Sequence, residues 1–531
     1  MPVTSRRALL LSPLIAPLLA AEARADDDPD GFAARLERMR SRFGLPALGA
    51  VVVAPGGVTR LAVAGVRRAG ESGRVGPDAH WQIGSITKTF TATLAALLVE
   101  RGALRWESTL GEVFAEQRAG MAPGVADVTV RQIVLHRSGM GGDVIPWSGH
   151  PEVNAPGLTL SERRQRFVAL ALRKPLLFAP GTKRTYSNQG YNALGAVAER
   201  VTGKPYETLV AEELCRPLGI RSVVFGEPAL ARPDAEPWPH RPDGKGGWRP
   251  VPPVPLTEHG YHACNPAGGI SLTLADFARW MRAHLDGETS GGILPARAFR
   301  ALHTAEGDGG IPAYGLGQAW PALGRNLSHS GSNGRNFADH CLLPERGAGV
   351  FLAANAVPPP ESRAAGFVRD ALLADALPGR WPRPALDPPL LSPPGEIEGE
   401  ALEVVRLTGG GVQFQNFPRL SGGFQLWWSG AQDGDTLVLR GRAARAGRYA
   451  VSAVFGSNRD FGAATVAIAG GLSRRLDFKA DALRWDDRDL GETTLPSGPF
   501  DVTVTAHGSA GAGGIVCHLA LDVLRLRRHA S

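Results

Sequence analysis

The hydrophobic pattern places strands near both ends of a long first region of the chain. Apolar residues at helical spacing predict a short amphipathic helix over 32–43. β-rich runs around short turns predict two hairpins, one with strands 48–54 and 58–66 and one with strands 337–343 and 349–355. Terminal segments that both supply strands suit an α+β fold, in which they share one antiparallel sheet flanked by helices.

Between these hairpins the pattern predicts helices and one aperiodic insertion. The run 87–100 is apolar on nearly every side, which is typical of a buried helix. Thr273, followed three residues later by Asp276, predicts a capping box that opens a helix reaching Leu285. Residues 227–257 are rich in proline and lack periodicity, so one interpretation is a disordered surface loop.

The composition and the hydrophobic pattern of the chain change after residue 377. Residues 378–394 hold seven prolines and predict a stiff, extended linker. Beyond it, alternating runs separated by glycine-rich turns predict an all-β module with a sandwich architecture. The runs that carry this prediction are 436–440, 449–455, 464–468 and 500–505.

The first 25 residues have the pattern of an export signal. Arg6 and Arg7 precede an apolar stretch, and a small-residue cleavage site ends at Ala25. The paired arginines favour a twin-arginine signal, with an ordinary secretory signal as the alternative. The apolar stretch is short and interrupted by prolines, so we expect a periplasmic or secreted mature chain without a membrane span.

Charge and cysteine content narrow the classes of function. Removal of the first 25 residues, with three arginines and one glutamate, lowers the net charge from +7 to +5. This charge is spread along the chain, so no nucleic-acid partner is expected. Four cysteines without a Cys-x-x-Cys pair indicate neither a disulfide framework nor a metal site. Cys341 lies in an apolar run and is expected to be a buried thiol.

The strongest chemical signal is Ser85-Ile86-Thr87-Lys88 at the start of the predicted buried helix. Residues three apart share a helix face, so the Lys88 amine can reach the Ser85 hydroxyl. A serine hydroxyl is a poor nucleophile until its proton is removed. A lysine in a desolvated pocket can take that proton, or can hold a tyrosinate that takes it.

Two further elements follow downstream, Tyr186-Ser187-Asn188 and His329-Ser330-Gly331. In this order the three elements resemble those of active-site serine β-lactamases and penicillin-binding proteins. The class C branch, with its D-alanyl-D-alanine carboxypeptidase, D-aminopeptidase and carboxylesterase relatives, is the most similar. Residues 130–140, 178–182 and 266–270 also look like signature stretches of this family.

The resemblance covers roughly residues 30–376 and implies the serine β-lactamase fold, with an inserted helical subdomain. The predicted organisation is a signal peptide over 1–25, a hydrolase domain over 26–377, a linker over 378–395 and a β-sandwich over 396–531. In this family an insertion such as 227–257 usually borders the cleft, which is the second interpretation of that segment.

The resemblance also implies a role for each residue of the three elements. Ser85 is the expected nucleophile, and Lys88 is either the proton acceptor or the partner of an ionised Tyr186. Tyr186 is further expected to activate water for deacylation, and Asn188 to orient the substrate carbonyl and bind Lys88. Gly331 belongs to the third element, and the backbone N–H groups of Ser85 and Ser332 form the expected oxyanion site.

His329 departs from the family pattern, which has a lysine at this position. A lysine supplies a fixed charge for a substrate carboxylate, whereas histidine is cationic only below about pH 6.5 unless perturbed. Arg335 either supplies that charge or is a solvated loop residue. The histidine therefore favours D-aminopeptidase, esterase or amidase activity over efficient β-lactam hydrolysis. His136, in a signature stretch, is expected to be a structural histidine rather than a metal ligand.

These observations predict an exported serine hydrolase that acts through an acyl-enzyme on esters, D-amino acid amides or peptides, or β-lactams. No cofactor or metal is expected, and the expected partner is a small-molecule or peptide substrate. The alternative is a peptidoglycan- or glycan-binding protein with little turnover. The stretch 422–428 resembles jelly-roll modules of secreted carbohydrate-active proteins. Trp427 and Trp428 could stack on a sugar there, although core packing must account for at least one of them.

Overall fold

The computed structural model describes two compact units. Contacts group Met1–Pro358 with Leu372–Pro378, and Pro359–Ala371 with Gly379–Ser531. The residues described are 31–57, 59–141, 152–153, 155–243, 247–254, 265–307, 310–312, 314–316, 318–320, 324–358, 364–377, 395–399, 402–416, 424–459, 461–508 and 517–529. The predicted signal peptide and most of the predicted linker lie outside them, and the domain boundaries remain predictions.

The first unit combines helices with mostly antiparallel strands. Its helices are α1 Phe32–Arg42, α2 Thr87–Glu100, α3 Leu110–Val113, α4 Val130–Val134, α5 Leu160–Ala171, α6 Asn188–Thr202, α7 Tyr206–Leu209, α8 Asn265–Gly268, α9 Leu274–Ser290 and α10 Ala296–His303, and α11 Ala364–Ala376 spans the division between the units. Its strands are β1 Ala47–Val53, β2 Thr59–Gly65, β3 His80–Gln82, β4 Val224–Phe225, β5 His240–Pro242, β6 Trp248–Pro250, β7 Ile270–Thr273, β8 Gly310–Ile311, β9 Gly315–Leu316, β10 Gln318–Trp320, β11 Gly324–Ser332, β12 Phe337–Leu343 and β13 Ala348–Ala354.

The main sheet joins the two predicted hairpins. Its strand order is β10-β11-β12-β13-β1-β2, so the N-terminal hairpin pairs with a strand from the end of the region. Val51 of β1 lies opposite Phe351 of β13 in antiparallel register. Every residue of β1 is buried, because this central strand has neighbours on both edges and helices against the sheet. The predicted α+β fold with a shared terminal sheet is confirmed.

Helix α2 forms the centre of the unit and has the predicted bounds. Its residues from Thr87 to Leu98 are all buried, as expected for a helix that is apolar on nearly every side. Phe90 stacks on Trp280 of α9 with ring centroids 3.6 Å apart. Packing against the core therefore fixes the first turn of this helix.

Two local predictions need correction. The Thr273 hydroxyl accepts from the Asp276 N–H at the start of α9, but the Asp276 carboxylate accepts from the backbone of Arg221 and Ser222. The side-chain half of the predicted capping box, from Asp276 back to Thr273, is thus replaced by a tertiary contact. Helix α9 also extends five residues beyond the predicted end at Leu285, to Ser290.

The described part of the 227–257 insertion is ordered, so the disordered-loop interpretation is wrong there. It contains the hairpin β5–β6, whose His240 is buried. The His240 ring bonds the Asn355 carbonyl at 3.0 Å and accepts from the Ala69 N–H at 2.9 Å. The insertion is therefore tied to the segments that follow β13 and β2 of the main sheet. Cys341 is buried, as predicted.

The second unit is a β-sandwich, which confirms the predicted class. Two antiparallel sheets, ordered β16-β17-β24-β19-β22 (with β14 also on β24) and β15-β18-β23-β20-β21, enclose one apolar core. The strands are β14 Glu396–Glu398, β15 Glu403–Leu407, β16 Gly411–Asn416, β17 Phe424–Ala431, β18 Thr436–Ala443, β19 Gly447–Ser457, β20 Ala463–Ile468, β21 Leu472–Asp477, β22 Arg484–Leu495, β23 Gly498–His507 and β24 Cys517–Arg528.

Candidate active site

Ser85 lies on a tight turn directly before α2, not within the helix. The 3-10 turn Gly84–Ile86 presents its side chain, and Lys88 follows in the first helical turn. The Lys88 Nζ is 3.2 Å from the Ser85 Oγ, which confirms the proximity predicted from their spacing. Lys88 is completely buried whereas Ser85 is partly accessible, so a substrate can approach the hydroxyl but not the amine.

Two oxygen acceptors hold the Lys88 amine in place. Lys88 Nζ donates to Asn188 Oδ1 at 2.8 Å and to the Ala267 carbonyl at 2.7 Å. Asn188 is the first residue of α6, whose N-terminal cap is Ser187. Ala267 lies in the four-residue helix α8 and was not predicted as a site residue, although 266–270 stood out as a signature stretch.

Tyr186 covers the Lys88 amine with one face of its ring. Lys88 Nζ lies 4.6 Å from the centroid of its ring, and 43% of the residue is exposed. One face of the ring therefore meets the Lys88 amine, while part of the residue stays accessible to solvent. This placement brings the second sequence element to the first, as the resemblance implies.

His136 supports the segment that carries Tyr186. Its Nδ1 accepts from the Ser187 N–H at 3.1 Å, and its carbonyl accepts from the Thr185 N–H at 2.9 Å. Burial and the nearby Lys88 charge lower the pKa of His136 well below its usual value, so the ring is neutral at pH 7. His136 has a left-handed φ of 57°. These contacts fit the predicted structural role.

Strand β11 places the third element against the Ser85 turn at backbone contact distance. A Cβ on Gly331 would lie 2.0 Å from the Ile83 carbonyl oxygen and 2.7 Å from the Ser85 nitrogen. A Cβ on Gly84 would lie 2.5 Å from the Ser332 nitrogen. Only glycine fits at either position. The backbone around Ser85 and the backbone around Ser332 thus lie in direct contact.

His329 lies on the same strand but supplies no fixed charge. Its Nδ1 donates to the Ser330 carbonyl at 2.6 Å. Desolvation of the partly accessible ring and the nearby Lys88 charge lower the pKa of His329 well below its usual value, so the ring is neutral at pH 7. His340, its partner on β12, donates from Nδ1 to the His329 carbonyl at 3.0 Å and helps to fix the strand.

Arg335 does not behave as a solvated loop arginine. Its side chain is only 9% exposed and forms an ion pair with the buried carboxylate of Glu227. Glu227 belongs to the insertion, so that segment reaches the loop after the third element. The pairing neutralises the charge that Arg335 was considered to offer a substrate.

A partly accessible serine beside a buried, hydrogen-bonded lysine, on an α+β fold of this topology, defines an active-site serine hydrolase. The family model described as Beta-lactamase matches residues 32–375, and the chain belongs to that family. Among the helices that the structure describes, none is long and apolar enough to cross a membrane.

Individual relatives agree with this assignment. The chain is 27% identical over 331 residues to Penicillin-binding protein 4 of Amycolatopsis lactamdurans, covering 60% of this chain and 82% of that protein. It is 29% identical over 268 residues to Esterase EstB of Burkholderia gladioli, covering 42% and 66%. The structure of D-alanine carboxypeptidase AmpC from Burkholderia cenocepacia shares the fold, with a TM-score of 0.51 and 20% identity over 64% of this chain and 98% of that one.

Proposed function

We propose that the protein hydrolyses acyl donors through a covalent ester on Ser85. The observation that carries this proposal is the 3.2 Å contact between Ser85 Oγ and a Lys88 amine held by two fixed acceptors. A lysine constrained in this way can receive the serine proton as the hydroxyl attacks. Tyr186, whose ring lies over the Lys88 amine, is the alternative acceptor, and both routes use the same Ser85–Lys88 contact.

The acyl transfer then follows from the arrangement of the site. Ser85 Oγ bonds to the substrate carbonyl carbon, and its proton passes through Lys88 or Tyr186 to the leaving amine or alcohol. The Ser85 and Ser332 N–H groups stabilise the oxyanion, and Asn188 orients the carbonyl. Water activated by Tyr186 releases the acid and restores the Ser85 hydroxyl.

We infer that neutral esters and D-aminoacyl amides are better substrates than cephalosporins. His329 is neutral, and Arg335 is committed to Glu227, so neither offers a fixed charge to a substrate carboxylate. The relative named Esterase EstB supports acyl esters as a substrate class. The alternative of a binding protein with little turnover is disfavoured, because such a protein has no need to retain the serine, lysine, tyrosine, asparagine and glycine together.

We also propose that the chain is exported and that its β-sandwich binds a glycan. The export proposal rests on the N-terminal pattern. Trp428 is fully buried and its Nε1 donates to the Gly409 carbonyl, so it belongs to the core. Trp427 is half-buried and stacks on His518 with centroids 5.1 Å apart, which leaves it as the candidate for sugar stacking.

Substitution of the site residues tests the proposed reaction. Ser85→Ala should abolish p-nitrophenyl ester hydrolysis and covalent labelling by a fluorophosphonate, because the nucleophile is lost. Lys88→Ala and Tyr186→Phe should each lower the rate about 10²-fold or more, as expected for loss of a general base. Ser290→Ala, at the exposed end of α9, is the matched control and should behave as wild type. More than a few per cent residual activity in Ser85→Ala would refute the assignment.

A further inference from the structure

The turn that offers its carbonyl to Lys88 is held by side chains outside the three sequence elements. Asn265, the first residue of α8, is completely buried and donates from Nδ2 to Glu207 Oε1 at 2.7 Å. The backbone carbonyl of the next residue, Pro266, accepts from Thr91 at 2.6 Å. The carbonyl of the residue after that, Ala267, accepts from Lys88. Three successive residues are thus each fixed by a side chain, one from α7 and two from α2.

The Glu207 carboxylate is itself fixed by a buried ionic network. Arg164 of α5 is completely buried and bonds Glu199 of α6 and Glu207 of α7. Glu199 also accepts from the Tyr206 N–H at 3.0 Å. The Tyr206 hydroxyl lies 2.7 Å from Thr91 Oγ1, and since Thr91 donates to Pro266, Tyr206 is the donor in that contact. Side chains of α5, α6 and α7 are therefore joined in one network that ends at Asn265, at the start of the turn that carries the Ala267 carbonyl.

The turn has little freedom to settle elsewhere. A Cβ on Gly269 would lie 2.1 Å from Asn265 Oδ1, and a Cβ on Gly195 of α6 would lie 2.2 Å from the Pro266 ring. The chain thus uses glycine on both sides to admit this particular position of 265–268. Loss of the Asn265–Glu207 bond removes the contact that sets where the turn begins.

We propose that Glu207, acting through Asn265, is a positioning residue that fixes the Ala267 carbonyl and so aims the Lys88 amine at Ser85. This inference rests on the proposed function of Ser85 and Lys88. With Asn188 Oδ1 and the Ala267 oxygen holding two positions around Nζ, the remaining tetrahedral direction points to the serine hydroxyl. A displaced Ala267 carbonyl leaves the amine free to turn away, and a misplacement of about 1 Å can cost about 10²-fold in rate.

The network also affects the charge on the lysine. A carbonyl acceptor stabilises an ammonium group more than a neutral amine, because hydrogen bonds from charged donors are stronger. Loss of the Ala267 contact should therefore let Lys88 reach its neutral form at lower pH. The acid limb of the rate profile should shift to lower pH while the plateau rate falls. A residue that only stabilises the fold would change neither quantity in the folded enzyme.

The test compares Glu207→Ala with Glu207→Gln in the full-length protein. Glutamine keeps an Oε1 acceptor for Asn265, whereas alanine removes it and still leaves Arg164 paired with Glu199. Glu207→Ala should lower kcat for a p-nitrophenyl ester about 10-fold to 10²-fold with little change in KM, and shift the acid limb to lower pH. Glu207→Gln should stay within about threefold of wild type. Glu212→Ala, which removes only partly exposed ion pairs to Lys204 and Arg216, is the matched control.

Asn265→Ala provides an independent break of the same hydrogen bond, with the ion pairs intact. It should reproduce the kcat loss and the acid-limb shift, and the double variant should be no worse than either single variant. The inference is overturned if Glu207→Ala and Asn265→Ala lower only the melting temperature, or if Glu207→Gln is as impaired as Glu207→Ala. Ser85→Ala, measured alongside, separates the two proposals: activity without Ser85 would refute the proposed function, whereas activity lost there but kept in the Glu207 variants would refute only this inference.

Discussion

At the scale of single residues, His329 stands where the resemblance to the family implied a lysine. A neutral imidazole replaces a permanent cation, and its Nδ1 proton is already committed to the Ser330 carbonyl. The nearest alternative that the sequence offered, Arg335, is ion-paired to Glu227. The site therefore lacks the positive charge that a lysine on β11 would offer to a substrate carboxylate.

His329→Lys should shift specificity toward substrates with a carboxylate. A charged hydrogen bond contributes about 1.5–3 kcal/mol, so we expect about a 10-fold or larger gain for a carboxylate-bearing substrate relative to a neutral ester. The ratio of kcat/KM for a cephalosporin and a p-nitrophenyl ester measures this gain. His329→Gln, which keeps a neutral hydrogen-bonding group, is the control and should leave the ratio near that of wild type.

The pH dependence of the wild-type enzyme tests the charge of His329 directly. An unperturbed histidine with a pKa near 6.5 would be mostly cationic at pH 5.5. Because the pKa of His329 is lowered to about 3, the ring is neutral throughout the range from pH 5.5 to pH 7.5, and the ratio should stay level across it. This expectation would be contradicted if the ratio of the two kcat/KM values rose severalfold at pH 5.5 in wild type but not in His329→Gln.

At the scale of elements, local pattern and long-range contact were predictable to different degrees. Helix α2 has the predicted bounds because its apolar run is a local property. Ser85 and Lys88 meet because their spacing determines it. The contacts of Ala267 and Arg335 were not predictable, since they depend on where distant segments fold. The Asp276 carboxylate shows the same limit, because a tertiary contact replaced its expected local one.

The contact of β11 with the Ser85 turn gives a prediction for Gly331. In Gly331→Ala the new Cβ would meet backbone atoms of Ile83 and Ser85, which cannot move aside like a flexible side chain. The strand must therefore shift, and the Ser332 N–H should leave the proposed oxyanion site. We expect a loss of about 10²-fold or more in kcat for ester hydrolysis. Gly76→Ala, whose Cβ would enter open space, is the matched control. A Gly331→Ala enzyme within twofold of wild type would contradict the proposed oxyanion site.

At the scale of the whole molecule, each unit has an apolar core built from its own residues. The core of the first unit draws on residues from Ala47 to Ala353, and that of the sandwich on residues from Ile397 to Leu526. Every proposed catalytic residue lies in the first unit. The sandwich begins by β14, where Glu396 bonds Arg525 of β24. We therefore expect catalysis of small substrates to require no atoms of the sandwich.

A chain that ends at Pro378 should hydrolyse p-nitrophenyl esters at close to the full-length rate, because it keeps α11 and the complete site. Lost activity in a soluble, folded truncated protein would show that the two units depend on each other.

The isolated segment 379–531 should fold and be retained on insoluble peptidoglycan or other glycans. Trp427→Ala should abolish retention by removing the stacking surface, whereas Leu483→Ala, an exposed apolar control, should not. If the folded wild-type segment is retained on none of these polymers, the glycan proposal fails and a role in docking against the hydrolase becomes the better explanation.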